Sequence, residues 1–319
     1  MASASDASAD GLLAAARSGD RAALAWLLSL VERGGDGARE VGRATHREGG
    51  DTTTVGVTGA PGAGKSTLTS ALVDVVRAGG DRVAVLAIDP SSPFSGGAIL
   101  GDRVRMGEHA LDEGVFIRSM ATRGHLGGLA AAAPEAARAL AAARYPCVIL
   151  ETVGVGQVEI EVAAQADTTV VVVAAGWGDA VQASKAGLTE VADVFVVNKA
   201  DRPGAKEAAR DLGRMLDMSA EGSAGDAWRP PVLCTTATTG EGVEEVWRAV
   251  LDHRESMVAT GGLEERRRRR AAEEIRRLVA ARLLARAEGL TAGPRAGELA
   301  DAVARGDVDP WTAADELLA

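Results

Sequence analysis

Seven short runs of β-branched and apolar residues, separated by stretches with helical spacing, occupy the sequence between Thr53 and Ala237. Strands with few polar positions are buried on both faces, which is typical of a parallel sheet that helices cover on both sides. Aromatic residues make up only 3% of the chain, so Ala, Val and Leu must form most of the core. The sequence therefore predicts an α/β fold with a doubly wound, mostly parallel sheet. The runs lie at 55–59, 82–89, 115–120, 147–154, 168–175, 194–201 and 231–237.

Helical patterns flank this α/β region at both ends. Two amphipathic helices are predicted before it, the second capped by Asp20, and 34–51 is predicted to be an exposed connection because it is rich in Gly and charged residues. After it, 263–288 is Arg-rich and helical, and Asp309 with Pro310 is a favourable helix start. We expect three parts, namely an N-terminal helical segment (1–51), the α/β domain (52–258) and a C-terminal helical extension (259–319).

Composition and charge disfavour several classes of protein. The chain has 35 Lys and Arg against 45 Asp and Glu, and a net charge of −10 repels nucleic acid and anionic lipid. No apolar run approaches the ~20 residues that span a bilayer. The N-terminus has no basic residue before Arg17, which disfavours a targeting signal, so we expect a cytoplasmic protein. Cys147 and Cys234 lie in strand-like runs and are predicted to be buried, reduced thiols.

The segment Gly59 to Ser66 reads GAPGAGKS and fits the motif GxxxxGK[ST] between a predicted strand and a predicted helix. The glycines let such a loop wrap a chain of phosphates, so that backbone N–H groups and the helix N-terminus face the anion. Lys65 is expected to reach the β- and γ-phosphates, and the Ser66 hydroxyl to bind Mg²⁺. The sequence therefore predicts a P-loop nucleotide site. The expected contacts are Gly59, Ala60, Pro61, Gly62, Ala63, Gly64, Lys65, Ser66 and Thr67.

A second motif, Asn198-Lys199-Ala200-Asp201, stands at the end of a predicted strand, where bound nucleotides lie in open α/β sheets. Guanine presents N1–H and N2–H₂ donors, and the Asp201 carboxylate can accept from both. Asn198 is expected at the N7/O6 edge, and the Lys199 stem over the ring. Adenine lacks this donor pair and would leave the Asp201 charge unpaired, so the motif predicts guanine.

The end of the next predicted strand offers a further contact with the base. A backbone N–H of Thr236 or Ala237 is placed to donate to guanine O6, although an ordinary strand-to-helix turn would have the same sequence. The sequence favours the guanine contact.

Three acidic residues are candidates for holding Mg²⁺. Glu151 ends a predicted strand and can bind the ion through water, while Gly154 can approach the γ-phosphate through its N–H. Asp89 and Asp102 bracket a segment rich in Gly and Ser. Asp89 could instead be a turn residue that ends a strand, and Asp102 could be a helix cap.

Four stretches, in order along the chain, resemble the MeaB/ArgK family of GTPases. They are AIDPSSPFSGGAILGDRVRM at 87–106, RGHLGG at 123–128, ETVGVGQ at 151–157 and NKAD at 198–201. The resemblance covers roughly 23–251 and implies a P-loop GTPase that uses Mg²⁺. It also implies a chaperone of a cobalamin-dependent acyl-CoA mutase, usually methylmalonyl-CoA mutase, which gates adenosylcobalamin loading and protects the mutase.

The resemblance also implies roles for individual residues. The family's nucleotide and Mg²⁺ positions match Lys65, Ser66, Asp89, Asp102 and Glu151. A third segment at 178–187, which includes Lys185, matches the one that couples hydrolysis to the mutase.

Three other functions remain open on the sequence. A nickel-inserting GTPase shares the general architecture, but it needs Cys or His clusters, and the chain has two Cys and four scattered His. A small-molecule kinase would need an acceptor pocket with a catalytic base. A pure binding switch would use the same nucleotide motifs.

The Arg-rich helix contains a run of arginines and an apolar side. Arg266 to Arg270 could bind an anionic partner, but such a charge run is more often a solvated face. One side of this helix is apolar, and the charged side of the same helix cannot cover it. The apolar residues are Ile275, Leu278, Val279 and Leu283. The resemblance implies a homodimer through the C-terminal helices, whereas packing on the N-terminal helices of the same chain would also cover this side.

Overall fold

The fold is described from a computed structural model of the 319-residue chain. The structure describes residues 8–46, 48, 51–89, 107–109, 111–121, 128–152, 164–175, 191–220 and 228–319. The strands are β1 Thr53–Gly59, β2 Val83–Asp89, β3 Val115–Ala121, β4 Cys147–Thr152, β5 Thr168–Ala174, β6 Val194–Asn198 and β7 Val232–Thr235. The helices are α1 Ala9–Arg17, α2 Arg21–Arg33, α3 Gly35–His46, α4 Lys65–Ala78, α5 Gly128–Ala142, α6 Ala205–Ala220, α7 Val243–Ala259, α8 Gly262–Thr291, α9 Pro294–Arg305 and α10 Pro310–Leu318.

All seven predicted strands form, and they build one parallel sheet in the order β3-β2-β4-β1-β5-β6-β7. The central strand β1 lies between β4 and β5. Parallel strands end at the same edge of a sheet, so Gly59, Glu151, Asn198 and Thr235 all reach one edge. The predicted doubly wound fold is confirmed.

Alternate residues of the strands face opposite sides of the sheet, and helices cover each side. On one side, Leu86 and Leu150 pack in a cluster with residues of α1, α2, α3 and α5. On the other side, Val57 and Val172 pack with residues of α4 and α7. A third cluster joins β5 and β6 to α6. The cores consist largely of Ala, Val and Leu, as the composition predicts.

The segment predicted as an exposed connection contains a packed helix, so that prediction was wrong. In α3, Val41 and Thr45 are fully buried. Gly42 of this helix faces α5, where a Cβ would lie 2.7 Å from the carboxylate end of the Glu135 side chain. The segment is therefore a helix that packs on the core, not a connection through solvent.

The prediction of two buried thiols was right for Cys147 and wrong for Cys234. Cys147 starts a central strand and is buried, and this burial, with a further contribution from the charge of Asp81, raises its pKa to about 12. Cys234 lies on β7 at the edge of the sheet, where its side chain is exposed.

The chain divides into two compact units, one ending at Arg267 and one that comprises Arg268–Ala319. The second contains the rest of α8, with α9 and α10. Asp309 caps α10 by accepting from Trp311 N at 2.9 Å and Thr312 N at 3.1 Å, as predicted. None of the helices in the described ranges is long and apolar enough to cross a membrane.

Candidate functional site

The loop between β1 and α4 requires glycine at two positions. Gly59 has a φ of 138°, and a Cβ there would lie 1.9 Å from the carbonyl oxygen of Val172 on β5. Gly64 has a φ of 93°, and its Cβ would lie 2.3 Å from Asn198 Nδ2. Only glycine adopts this backbone so close to its neighbours. The loop then leads directly into α4, whose N-terminal N–H groups and dipole favour an anion.

Two lysine side chains line this loop. Lys65 is 7% exposed, and its Nζ donates to Gly59 O at 2.8 Å and to Ala60 O at 3.2 Å. Lys199 comes from the end of β6 and donates to Gly62 O at 2.6 Å. Both ammonium groups are therefore held at the loop, where a phosphate oxygen can replace a carbonyl oxygen as acceptor.

A hydroxyl and a carboxylate meet where α4 starts and β4 ends. Ser66 Oγ donates to Glu151 Oε1 at 2.5 Å, and Glu151 is fully buried. Glu151 pairs in register with Val57 on β1 and Ala87 on β2, so the sheet fixes its position. Hydroxyl and carboxylate oxygens are the hard donors that Mg²⁺ prefers, and the pair fits that ion.

Asn198 connects the loop to the end of β7. The residue is 1% exposed, and its Nδ2 donates to Ala63 O at 2.9 Å. Its Oδ1 accepts from Thr235 Oγ1 at 3.1 Å and from Ala237 N at 3.2 Å. The expectation was a contact with the N7/O6 edge of guanine. The amide holds three segments of the site together, and the contact with the N7/O6 edge stays a prediction.

The remaining residues of the predicted base site lie beside this connection. Asp201 is exposed at the end of the NKAD motif, and Lys199 has a φ of 59°. Thr236 N donates to Glu241 O at 3.0 Å, while Ala237 N donates to Asn198 Oδ1. The predicted contact between one of these N–H groups and guanine O6 stays a prediction.

Several predicted site residues fall outside the described part of the chain. Asp102, Gly154 and Lys185 lie outside the described residues. The backbone of Asp89 ends β2, next to β4 in the sheet, but its side chain also lies outside the described atoms.

Sequence reasoning missed a charged cluster at the opposite edge of the sheet, where β5 and β6 start. Arg266 and Arg267 were expected on a solvated face, yet they bind Asp193 and Asp167. Arg266 NH1 and NH2 donate to the two carboxylate oxygens of Asp193 at 2.7 and 2.8 Å. A signal was present in the sequence, since an Ala-Asp step stands directly before both strands, at 166–167 and 192–193.

The charges in this cluster stabilise each other. Burial acts to raise the pKa of Asp193, but the Arg266 and His253 side chains outweigh it, and the pKa lies below the ordinary value. The hydrogen bond to Asp193 is the main cause that raises the pKa of Arg266. His253 is 1% exposed, with Nε2 lying 3.2 Å from Asp193 Oδ1 and Nδ1 lying 2.8 Å from Thr168 Oγ1.

Known proteins resemble this chain over most or nearly all of its length. A putative GTPase of Pyrococcus abyssi is 46% identical over 97% of this chain and 95% of its own. The GTPase ArgK of Escherichia coli is 41% identical over 78% of this chain and 77% of its own. The crystal structure of an LAO/AO transport system kinase matches with a TM-score of 0.69 and 30% identity, over 96% of this chain and 95% of its own.

A family model supports the same grouping. The model described as "Methylmalonyl Co-A mutase-associated GTPase MeaB" matches residues 24–292. The relatives of this chain are named GTPases, as is the family. This chain is therefore a P-loop GTPase that binds guanine nucleotide. The motifs, the parallel sheet and these similarities agree, and the chain belongs to the MeaB family of GTPases.

Proposed function

We propose that GTP binds across the carboxyl ends of β1, β4 and β6, with its phosphates at Gly59–Thr67 and its base at Asn198–Asp201. The observation that carries this proposal is the buried Asn198 amide, which hydrogen-bonds the phosphate loop at Ala63 and the end of β7 at Thr235. It ties the two motifs into one site. Asp201 then reads the N1–H and N2–H₂ donors of guanine, and the backbone at Thr236–Ala237 faces O6.

Lys65 and the start of α4 act on the phosphates in this proposal. The Lys65 ammonium exchanges its hydrogen bonds with loop carbonyls for bonds with the β- and γ-phosphate oxygens. The N–H groups at the start of α4 add partial positive charge at the same place. Hydrolysis by attack of water on the γ-phosphate then proceeds through positioning and charge neutralisation, without a covalent intermediate on the protein.

The donor set supports Mg²⁺ as the cofactor. Ser66 and Glu151 would hold it, with Asp89 and Asp102 as further ligands and Gly154 next to the γ-phosphate. When bound, Mg²⁺ would neutralise charge on the phosphate oxygens. Glu151 keeps its carboxylate in place through the Ser66 hydrogen bond and the neighbouring strands.

We propose further that the GTPase serves a cobalamin-dependent acyl-CoA mutase of the methylmalonyl-CoA mutase type, gating adenosylcobalamin loading and protecting the mutase. This proposal is supported by the description of the matching family, which names an association with methylmalonyl Co-A mutase. Lys185 is proposed to couple hydrolysis to the mutase. We also propose that the chain has three parts. They are the helical segment 1–51, the nucleotide domain 52–258 and the dimerisation extension 259–319.

Phosphate release from GTP by the purified chain, with and without methylmalonyl-CoA mutase, tests this role. We expect the mutase to accelerate release and to elute with the chain in gel filtration. The Lys65→Ala chain is the control, and it should bind the mutase without releasing phosphate. Equal rates with and without mutase, together with separate elution, would contradict the proposed partnership.

One structural relative is named a transport system kinase, and the same assay separates that activity from hydrolysis. With GTP labelled at the γ-phosphate, hydrolysis places all of the label in inorganic phosphate. Label that appears on a small-molecule acceptor instead would show a phosphotransferase.

The C-terminal helices are proposed to form a homodimer interface. We call Ile275, Leu278, Val279 and Leu283 of α8 the α8 stripe. These side chains are between 46% and 63% exposed in the single chain. A second copy of the chain would cover the same stripe on each subunit by symmetry.

A further inference from the structure

The charged cluster holds the first residue before β6. Arg266 forms a two-pronged pair with the Asp193 carboxylate, whose Oδ2 also accepts from Thr169 N at 2.8 Å. The indole Nε1 of Trp228 donates to Asp193 O at 2.8 Å, and His253 lies beside the carboxylate. Asp193 is thus held by α8, α7, the start of β5 and the segment before β7.

Strand β6 is short and tightly packed. It contains five residues, and Val194, Phe195, Val196 and Val197 are all fully buried. At ~3.3 Å per residue, Asp193 and Asn198 are about 17 Å apart. Hydrogen bonds to β5 and β7 on either side fix its register. A shift at Asp193 must therefore be absorbed within five residues or passed on to Asn198.

The far end of β6 carries the NKAD motif. Asn198 is the last residue of the strand, and it binds both Ala63 and Thr235. Asp201 follows three residues later. The distance from Asp201 to the base depends on where β6 ends, because only a short turn separates them.

We propose that Arg266 is a positioning residue for guanine recognition, which acts by fixing the start of β6 and thereby the place of Asn198 and Asp201. The inference rests on the proposed assignment of NKAD to the base. Arg266 has this role because its guanidinium group donates to both oxygens of the nearly buried Asp193 carboxylate. Neither a single donor nor a point charge reproduces that geometry.

The neighbouring arginine provides a matched control. Arg267 also pairs with an aspartate directly before a strand, since NH2 donates to Asp167 Oδ2 at 2.5 Å and Nε donates to Oδ1 at 3.3 Å. The strand after Asp167 is β5, which ends at Ala174 and carries none of the residues assigned to the base. Loss of either arginine removes a charge pair, but only Arg266 acts on the strand with NKAD.

The experiment compares the full-length Arg266→Met and Arg267→Met chains with the parent. Dissociation constants are measured for GDP and for inosine diphosphate, which lacks the N2 amino group that donates to Asp201. The parent should prefer GDP by about tenfold or more, as expected for one hydrogen bond to a charged group. In Arg266→Met this preference should fall to about twofold, whereas Arg267→Met should keep it. Both should lower the thermal midpoint.

The ratio of the two dissociation constants separates positioning from stability. If Arg266→Met melts earlier but keeps the parent preference, or if Arg267→Met loses it equally, the inference is overturned. If the Met variants do not fold, Arg266→Lys and Arg267→Lys give the same comparison with the charge retained, and only the first should lose preference. A parent chain that binds GDP and inosine diphosphate equally would instead overturn the assignment of Asp201.

Discussion

Replacing Asn198 with alanine should destabilise the nucleotide site in a way that can be estimated from its hydrogen bonds. The change removes a donor from Ala63 O and an acceptor from Thr235 Oγ1 and Ala237 N, all at 2.9 to 3.2 Å. Each buried group left without a partner costs about 1–3 kcal/mol, and partial relaxation keeps the sum near the lower end. We expect the free energy of unfolding to fall by about 3 kcal/mol and the thermal midpoint by roughly 6 °C or more.

Thr235→Val provides the graded comparison for Asn198→Ala. It removes only the 3.1 Å bond to Asn198 Oδ1 and preserves the shape of the side chain. Its expected loss is about 1 kcal/mol. Thermal unfolding followed by circular dichroism measures both variants, and GDP release measures the effect on the site. An Asn198→Ala chain that loses no more stability than Thr235→Val would refute the role of Asn198 as the connection between the two motifs.

Three other parts of the structure lead to predictions of their own. Glu151→Gln should raise the Mg²⁺ concentration needed for half-maximal GTP hydrolysis, because it removes a buried negative charge, and a Mg²⁺ titration that matches the parent would exclude Glu151 as a ligand. A thiol reagent should modify the exposed Cys234 rapidly and Cys147 only after unfolding, since the Cys147 thiol is buried and its pKa is raised to about 12. Ile275→Asp in the α8 stripe should yield monomers in light scattering, whereas Ala281→Asp, which adds the same charge at an exposed position outside the stripe, should not. A monomeric parent chain would rule out the proposed dimer.

A point substitution is a sharper test of the dimer than truncation. Ending the chain after Thr260 would remove Arg266 and Arg267 along with the α8 stripe. The buried carboxylates of Asp193 and Asp167 would then lose their charged partners, and removing one partner of such a pair costs several kcal/mol. A truncated chain could change its association state because its first unit is destabilised.

The sequence predicts the sheet, the backbone of the phosphate loop and two helix caps well because local signals decide them. Buried parallel strands carry almost no polar positions, and all seven runs form strands. Gly59 and Gly64 are required by backbone geometry that the motif itself encodes. Asp20 and Asp309 cap helices through bonds to backbone N–H groups two and three residues ahead, so their neighbours suffice to predict them.

The errors concern residues whose role depends on distant partners. The glycines of 34–51 disfavour a helix locally, but α3 forms because Val41 and Thr45 are buried against distant parts of the chain. Arg266 belongs to a run of arginines, which is normally solvated. Its partner Asp193 lies 73 residues earlier in the sequence, so only the fold reveals the pair. Cys234 lies in an apolar run, but β7 is one of the two edge strands, and edge position depends on strand order.

The most direct test of the nucleotide site is the choice between GTP and xanthosine triphosphate by the Asp201→Asn chain. Xanthine has an acceptor oxygen at position 2 where guanine has a donor amino group, and an amide can donate to it. We predict that kcat/KM for GTP falls by about 100-fold in Asp201→Asn, while kcat/KM for xanthosine triphosphate rises above that of the parent. The Lys65→Ala chain, as control, should hydrolyse neither. A GTP rate in Asp201→Asn equal to that of the parent would contradict the placement of the guanine base at the end of β6.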